Sequence, residues 1–137
     1  FDGTLPSDID VSVTIDLLGQ SDARDAGLLV RTSGPSVGYD SQRGYFAGLI
    51  PRTGLVIFGK TDGDAWTELA RQKSSFNPKK EQRLRVICRG DQFTVNLNGK
   101  PVISVNDPTY DRGTIGLRVV DTHAVFKDLE LTPLHNN

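Results

Sequence analysis

Methionine is absent from the 137 residues, cysteine and tryptophan occur once each, and histidine occurs twice. Each shortage closes something off. A lone cysteine, Cys88, cannot form an internal disulfide, so burial has to hold the chain together. Cys88 also falls in the apolar alternation Leu84, Val86, Cys88, which predicts a buried small hydrophobe rather than a reactive thiol. Nucleophilic catalysis needs a base within hydrogen-bond reach of its serine or cysteine, and only His123 and His135 could serve. His135 lies in the C-terminal tail, and His123 sits in the turn Asp121-Thr122-His123. No serine stands in a nucleophile-elbow pattern. A zinc site needs His, Cys or carboxylate ligands at workable spacing, and this chain does not supply the usual set.

Long hydrophobic runs are missing too. Nothing approaches the roughly 18 to 20 apolar residues of a membrane-spanning helix. No charged-then-apolar segment opens the chain in the manner of a signal peptide. With no methionine at position 1 and a strand pattern starting soon after Phe1-Asp2-Gly3, the sequence reads as a processed chain or an excised piece. Excess charge of one sign is also lacking: 16 basic and 17 acidic residues leave a formal net charge of −1. A nucleic-acid partner would ask for a basic stripe, and an anionic membrane surface for a polybasic cluster. Neither partner is expected.

What is present is strand patterning. Val11, Val13, Ile15 and Leu17 alternate with Ser12, Thr14 and Asp16, the period of a strand with one buried face. Further β-rich runs follow at 27–32, 44–50, 54–60, 66–72, 83–89, 93–97, 102–105, 114–120 and 124–131. Pro51-Arg52-Thr53-Gly54 and Thr61-Asp62-Gly63-Asp64 carry turn chemistry. Asn98-Gly99 is a strong hairpin signal, because both residues accept positive φ. No window shows helical spacing. Many short strands with tight turns predict an all-β fold, a two-sheet antiparallel β-sandwich. One domain over residues 1–132 is expected, with 133–137 a frayed tail or linker stub. Val11, Val13, Ile15, Leu84, Val86, Phe93, Val95, Leu97, Ile115, Leu117 and Val119 are expected to point between the sheets.

Candidate chemistry is sparse. Asp8, Asp10, Asp62, Asp64, Asp107, Asp111 and Asp121 sit at predicted loops or strand ends; their spacing is that of turn-forming residues, with a calcium ion left open. Asp128 and Glu130 share one face of the last strand, a wet one in this reading. Arg31 and Arg118 each break an apolar strand pattern on the side predicted to face outward. Alternation sets Arg118 beside Gly116, and the space above that glycine suits either a flat ligand or an ion pair. An unpaired buried guanidinium is costly, so each must reach a carboxylate, a ligand or water. Trp66 opens a strand after a turn, a place that favours packing over ligand stacking.

Several segments resemble a known family. Gly27-Leu28-Leu29-Val30-Arg31, Gly38-Tyr39-Asp40 and Gly44-Tyr45-Phe46-Ala47-Gly48-Leu49 look like the concanavalin-A-like, laminin-G-like jelly roll. Gly90-Asp91-Gln92-Phe93, Asn98-Gly99-Lys100-Pro101-Val102, Gly113-Thr114-Ile115-Gly116-Leu117 and Ala124-Val125-Phe126 are similar, in the same order, to carbohydrate-binding module family 66. Those are fructan-binding modules attached to levan- and other fructan-degrading glycosidases. The likeness covers nearly the whole chain. It implies a secreted, non-catalytic module that binds the terminal sugar of a glycan, a fructan such as levan being one expected ligand. It also implies an attached catalytic glycosidase as partner and no cofactor. Residue by residue it points to Arg31, Asp40, Tyr45 and Asp121 as ligand contacts, with Arg118 added from its place beside Gly116. Similar jelly rolls occur in keto-disaccharide hydrolases, so an enzyme is the rival reading. A sandwich that binds nothing is a third.

Overall fold

Alternating apolar and polar residues, interrupted by turn formers, set ten strands in the computed structural model, which describes residues 6–18, 25–33, 43–120 and 124–134. They are β1 (Ile9–Asp16), β2 (Asp25–Ser33), β3 (Arg43–Ile50), β4 (Leu55–Asp62) and β5 (Trp66–Lys73). After them come β6 (Gln82–Arg89), β7 (Gln92–Leu97), β8 (Lys100–Asn106), β9 (Thr114–Val120) and β10 (Val125–Pro133). All pairings are antiparallel, in two five-stranded sheets. The first sheet runs β10-β1-β6-β7-β8 and the second β5-β4-β3-β2-β9. The sandwich expected from the sequence is the fold observed.

The core lies between the sheets. Ile9, Val11, Val13, Ile15, Leu84, Val86, Cys88, Phe93 and Val95 come from the first sheet, with Leu28, Val30, Tyr45, Ala47, Leu49, Val56 and Phe58 facing them from the second. Burying side chains of this kind contributes roughly 1.5 to 3 kcal/mol each. Cys88 is inward and buried, as its alternation predicted, and burial pushes its thiol pKa up to about 12.

Two expectations fail at one margin of the sandwich. β8 lies over β5 and β1 over β2, which leaves β9 and β10 as the edge strands of the other side. Ile115 packs against the core, but Leu117 and Val119 stand 44% and 43% exposed. Their parity is inward, opposite Leu28 and Ala26, yet the edge position gives them little to cover them. A bulge overrides alternation on β10. Asp128 takes φ +55°, the register against β1 slips between Ser12 and Thr14, and Phe126 and Leu131 turn inward. Parity alone put Phe126 and Leu131 on opposite faces. β10 also continues to Pro133, and the Leu134 N–H bonds the Asp8 carbonyl at 2.9 Å, so the paired chain outlasts its expected end at 132.

Candidate functional site

Arg31 is where alternation misleads most. The register of β2 slips between Val30 and Ser33 against β3 and between Leu29 and Thr32 against β9, and Arg31 takes φ +50°. This bulge swings the side chain from the expected outer face to the end of the core, where it is 2% exposed. Its guanidinium spends its donors on the protein. Nε and Nη2 reach the Ser7 carbonyl at 3.1 and 2.7 Å, and Nη1 reaches the carbonyls of Gly90 and Tyr110 at 2.6 and 3.0 Å. Asp8 supplies the counter-charge at 3.5 Å, and the Asp8 carboxylate in turn accepts the Gly90 N–H. Arg31 therefore ties three loops together. It floors a shallow pocket of about 210 Å³ whose rim includes Asp91, Asp111 and Arg112.

Tyr45 is likewise interior. Its ring stacks on Phe58 at 5.6 Å and tilts against Phe93 at 4.3 Å, leaving no face in solvent. The hydroxyl donates to the Asp107 carboxylate at 2.7 Å and accepts the Tyr110 N–H at 3.1 Å. Burial, then the bond to Asp107, raises the Tyr45 pKa well above that of an ordinary phenol. Lys60 donates to the other Asp107 oxygen at 2.9 Å and to Thr109 Oγ1 at 2.7 Å. Burial acts to raise the Asp107 carboxyl pKa, but bonds from Thr109, Tyr45 and Lys60 outweigh it and hold the group well below the usual range. Asp62 accepts the N–H groups of Asp64 and Ala65, both at 2.9 Å, so it caps its turn as expected. Among the described residues no three His, Cys, Asp or Glu side chains converge as a metal site would require.

The outer face of the second sheet is different in kind. Leu29, Phe46 and Ile57 form a second apolar cluster there, flanked by Ile50, Leu55 and Trp66. Glycines let the rings lie down. A Cβ on Gly48 would stand 2.4 Å from the Phe46 ring, and one on Gly59 would stand 2.5 Å from Trp66 Cη2. Trp66 meets Phe46 edge to face at 6.1 Å and is half-buried, the edge packing expected of it. Arg118, outward beside Gly116 as alternation predicted, lies over the Phe46 ring at 4.9 Å. Leu29 comes within 3.4 Å of where a Gly116 Cβ would be, so the expected gap above that glycine is narrowed by a neighbour. At the far rim, a slip in β5 between the partners of Phe58 and Gly59 brings Glu68 and Arg71 onto this one face. Arg71 grips Glu68 through Nε and Nη2 at 2.8 and 3.0 Å. Flat rings beside a paired guanidinium and carboxylate can meet the C–H face and the hydroxyls of one small polar molecule together.

The structure thus separates the residues that the sequence grouped. Arg31 and Tyr45 lie inside, and Arg118 lies on the outer face of the second sheet. Asp40 and Asp121 fall outside the described residues. Phe46, Glu68 and Arg71 were missed, though Phe46, Gly48 and Gly59 are all out of phase with Tyr45, Ala47 and Phe58, which was a legible sign of an outward apolar face.

Comparisons with known proteins fit this fold. A family model described as the 3-keto-alpha-glucoside-1,2-lyase-like domain matches residues 5–132. Levanase of Bacillus subtilis (strain 168) is 30% identical over 128 residues, which are 93% of this chain but 17% of levanase. The chain spans about one sixth of that relative. The carbohydrate-binding module CBM66 from Bacillus subtilis superposes with a TM-score of 0.83 at 25% identity, over 95% of this chain and 77% of that one. Sheep galectin-11 shares the fold alone, with a TM-score of 0.67 at 15% identity over 95% of this chain and 93% of its own. The chain belongs to the 3-keto-alpha-glucoside-1,2-lyase-like domain family, and its fold resembles that of a carbohydrate-binding module.

Proposed function

We propose that this family member is a non-catalytic carbohydrate-binding module that holds the terminal sugar unit of a glycan and directs an attached secreted glycosidase to it. The observation that carries the reading is the superposition on CBM66, with a TM-score of 0.83 over 95% of the chain. The match to levanase makes fructan the first ligand to test. Residues 1–132 are proposed as the module, with Pro133 and Leu134 completing the pairing of β10.

The outer face of the second sheet is the proposed binding surface. Trp66 offers the exposed part of a ring, Arg118 a guanidinium, and Glu68 with Arg71 a paired acceptor and donor for vicinal hydroxyls. Arg31 and Tyr45 act as positioning residues at the loop end of the sandwich, because they fix the loops at Ser7, Gly90 and Tyr110 rather than offer free donors. Asp40 and Asp121 are retained as ligand contacts on the family resemblance.

The lyase-like description of the family keeps an enzyme as the rival. Calorimetry with levan oligosaccharides, inulin and a panel of other neutral glycans, followed by chromatography of the recovered sugars, tests both. Saturable heat with the glycan recovered intact supports the proposal. Cleaved sugar would establish the rival, and no heat with any glycan would remove sugar binding.

A further inference from the structure

The outer face of the first sheet bears a second array of polar groups that the proposed surface does not use. Asp10, Ser12 and Thr14 alternate outward along β1, with Arg85 and Arg83 opposite Ser12 and Thr14 on β6 and Glu130 opposite Ser12 on β10. These six residues line a groove of about 640 Å³. Arg85 holds Asp10 through Nε at 2.8 Å and Nη2 at 2.5 Å. Arg83 bridges the strands: Nη1 donates to Thr14 Oγ1 at 2.9 Å and to the Asp128 carbonyl at 2.7 Å, and Nη2 to Ser12 Oγ at 2.7 Å. Glu130 lies 3.4 Å from the same Nη2. The side chains are thus fixed in place before any ligand arrives, which lowers the entropy cost of binding.

Two features of the array suit a ligand. Arg85 binds Asp10 through Nε and Nη2, and its side chain is still 45% exposed, which leaves the Nη1 side of the guanidinium toward solvent. The Ser12 and Thr14 hydroxyls accept from Arg83, and each keeps an O–H to donate. Donors and hydroxyls alternating along one groove are complementary to the adjacent hydroxyl groups of a polyol. Charge selects the class further. Arg83 and Arg85 against Asp10, Asp128 and Glu130 leave two positive and three negative groups around the groove, a net of −1. A phosphate, sulfate or carboxylate ligand would meet that acidic surplus, and a neutral polyol would not.

We propose that this groove is a second binding site for a neutral sugar, on the sheet opposite the first. It goes beyond the function proposed above and relies on it only for the choice of sugar. Two sites on opposite faces let one module grip two glycan chains, which raises its hold on an insoluble polymer without any tighter single contact.

Amide-resolved NMR titration of the 15N-labelled chain tests the site, with fructose and a levan oligosaccharide as ligands and sodium sulfate as an anionic competitor. Shifts are expected at Asp10–Thr14 and Arg83–Arg85 as well as around Trp66. Trp66→Ala should leave the first set intact. Arg85→Ala and, separately, Asp10→Asn should weaken it about tenfold or more, leave the shifts around Trp66 in place, and keep the native melting temperature. Sulfate should not displace the sugar. Shifts confined to the strands around Trp66, or groove shifts undiminished in both groove variants, would overturn the second site and leave the function proposed above standing. Shifts confined to the groove would uphold the second site and overturn the placement of the first.

Discussion

The Arg31 guanidinium carbon sits 5.0 Å from the centre of the Phe93 ring, on the inner side of a strand whose alternation points it outward. The bulge that moves it converts a residue expected to meet a ligand into one that joins the two sheets at their loop end. Ser7 precedes β1, Gly90 links β6 to β7, and Tyr110 lies between β8 and β9, and all three give their carbonyls to this one side chain.

Truncating Arg31 should therefore damage the fold, not only a binding site. Arg31→Ala leaves the Ser7, Gly90 and Tyr110 carbonyls without this donor and the Asp8 carboxylate without its counter-charge, a loss on the order of 3 to 5 kcal/mol. Urea unfolding measures it directly. A midpoint within experimental scatter of the native protein would show that the guanidinium is dispensable and reopen its role as a ligand contact.

Acid should unpick the network around Asp107. Its folded pKa lies well below that of an ordinary aspartate, so the unfolded chain binds the proton more readily. Stability from this group is therefore complete above about pH 4 and is lost as pH falls toward the folded pKa. In Asp107→Asn that contribution is gone at every pH. Melting temperatures taken from pH 6 to pH 2 should fall less steeply for the variant than for the native chain. Parallel curves would mean that other carboxylates carry the acid response.

Gly59 should behave as a support for Trp66. A methyl group there meets Trp66 Cη2 at 2.5 Å and the Thr67 carbonyl at 2.4 Å, so Gly59→Ala has to lift the indole or spread β4 from β5. Overpacking of this sort costs about 1 to 3 kcal/mol. Trp66 is the sole tryptophan, so its emission reports the change without interference. A shift to longer wavelength is expected as the ring moves into water. An unchanged spectrum would place the indole away from the glycine.

Much of the fold was legible because period-two alternation and turn residues act locally. Val11, Val13 and Ile15 declared an inward face, and Asn98-Gly99 declared a hairpin between β7 and β8. Bulges are not local in that sense. Those at Arg31 and Asp128 depend on positive φ at residues that usually avoid it, and each inverts the side chains beyond it. Exposure at an edge was equally hidden, since Leu117 and Leu28 read alike until strand order is known. Of the site, Arg118 was placed on the correct face by its phase with Gly116. Glu68 and Arg71, three apart, share a face only through the slip in β5, so no alternation pattern could have joined them.

The proposed surface stands or falls on one calorimetric comparison. Levan oligosaccharide is titrated into the native chain, into Trp66→Ala and into Arg71→Ala, with melting temperatures taken alongside. A millimolar ligand is held by only about 4 kcal/mol, and a lost ring contact or charge-assisted bond removes on the order of 1 to 3 kcal/mol of it. Binding to the native chain with at least a tenfold loss in both folded variants is the result expected. Undiminished affinity in both would contradict a binding site on the outer face of the β5-β4-β3-β2-β9 sheet.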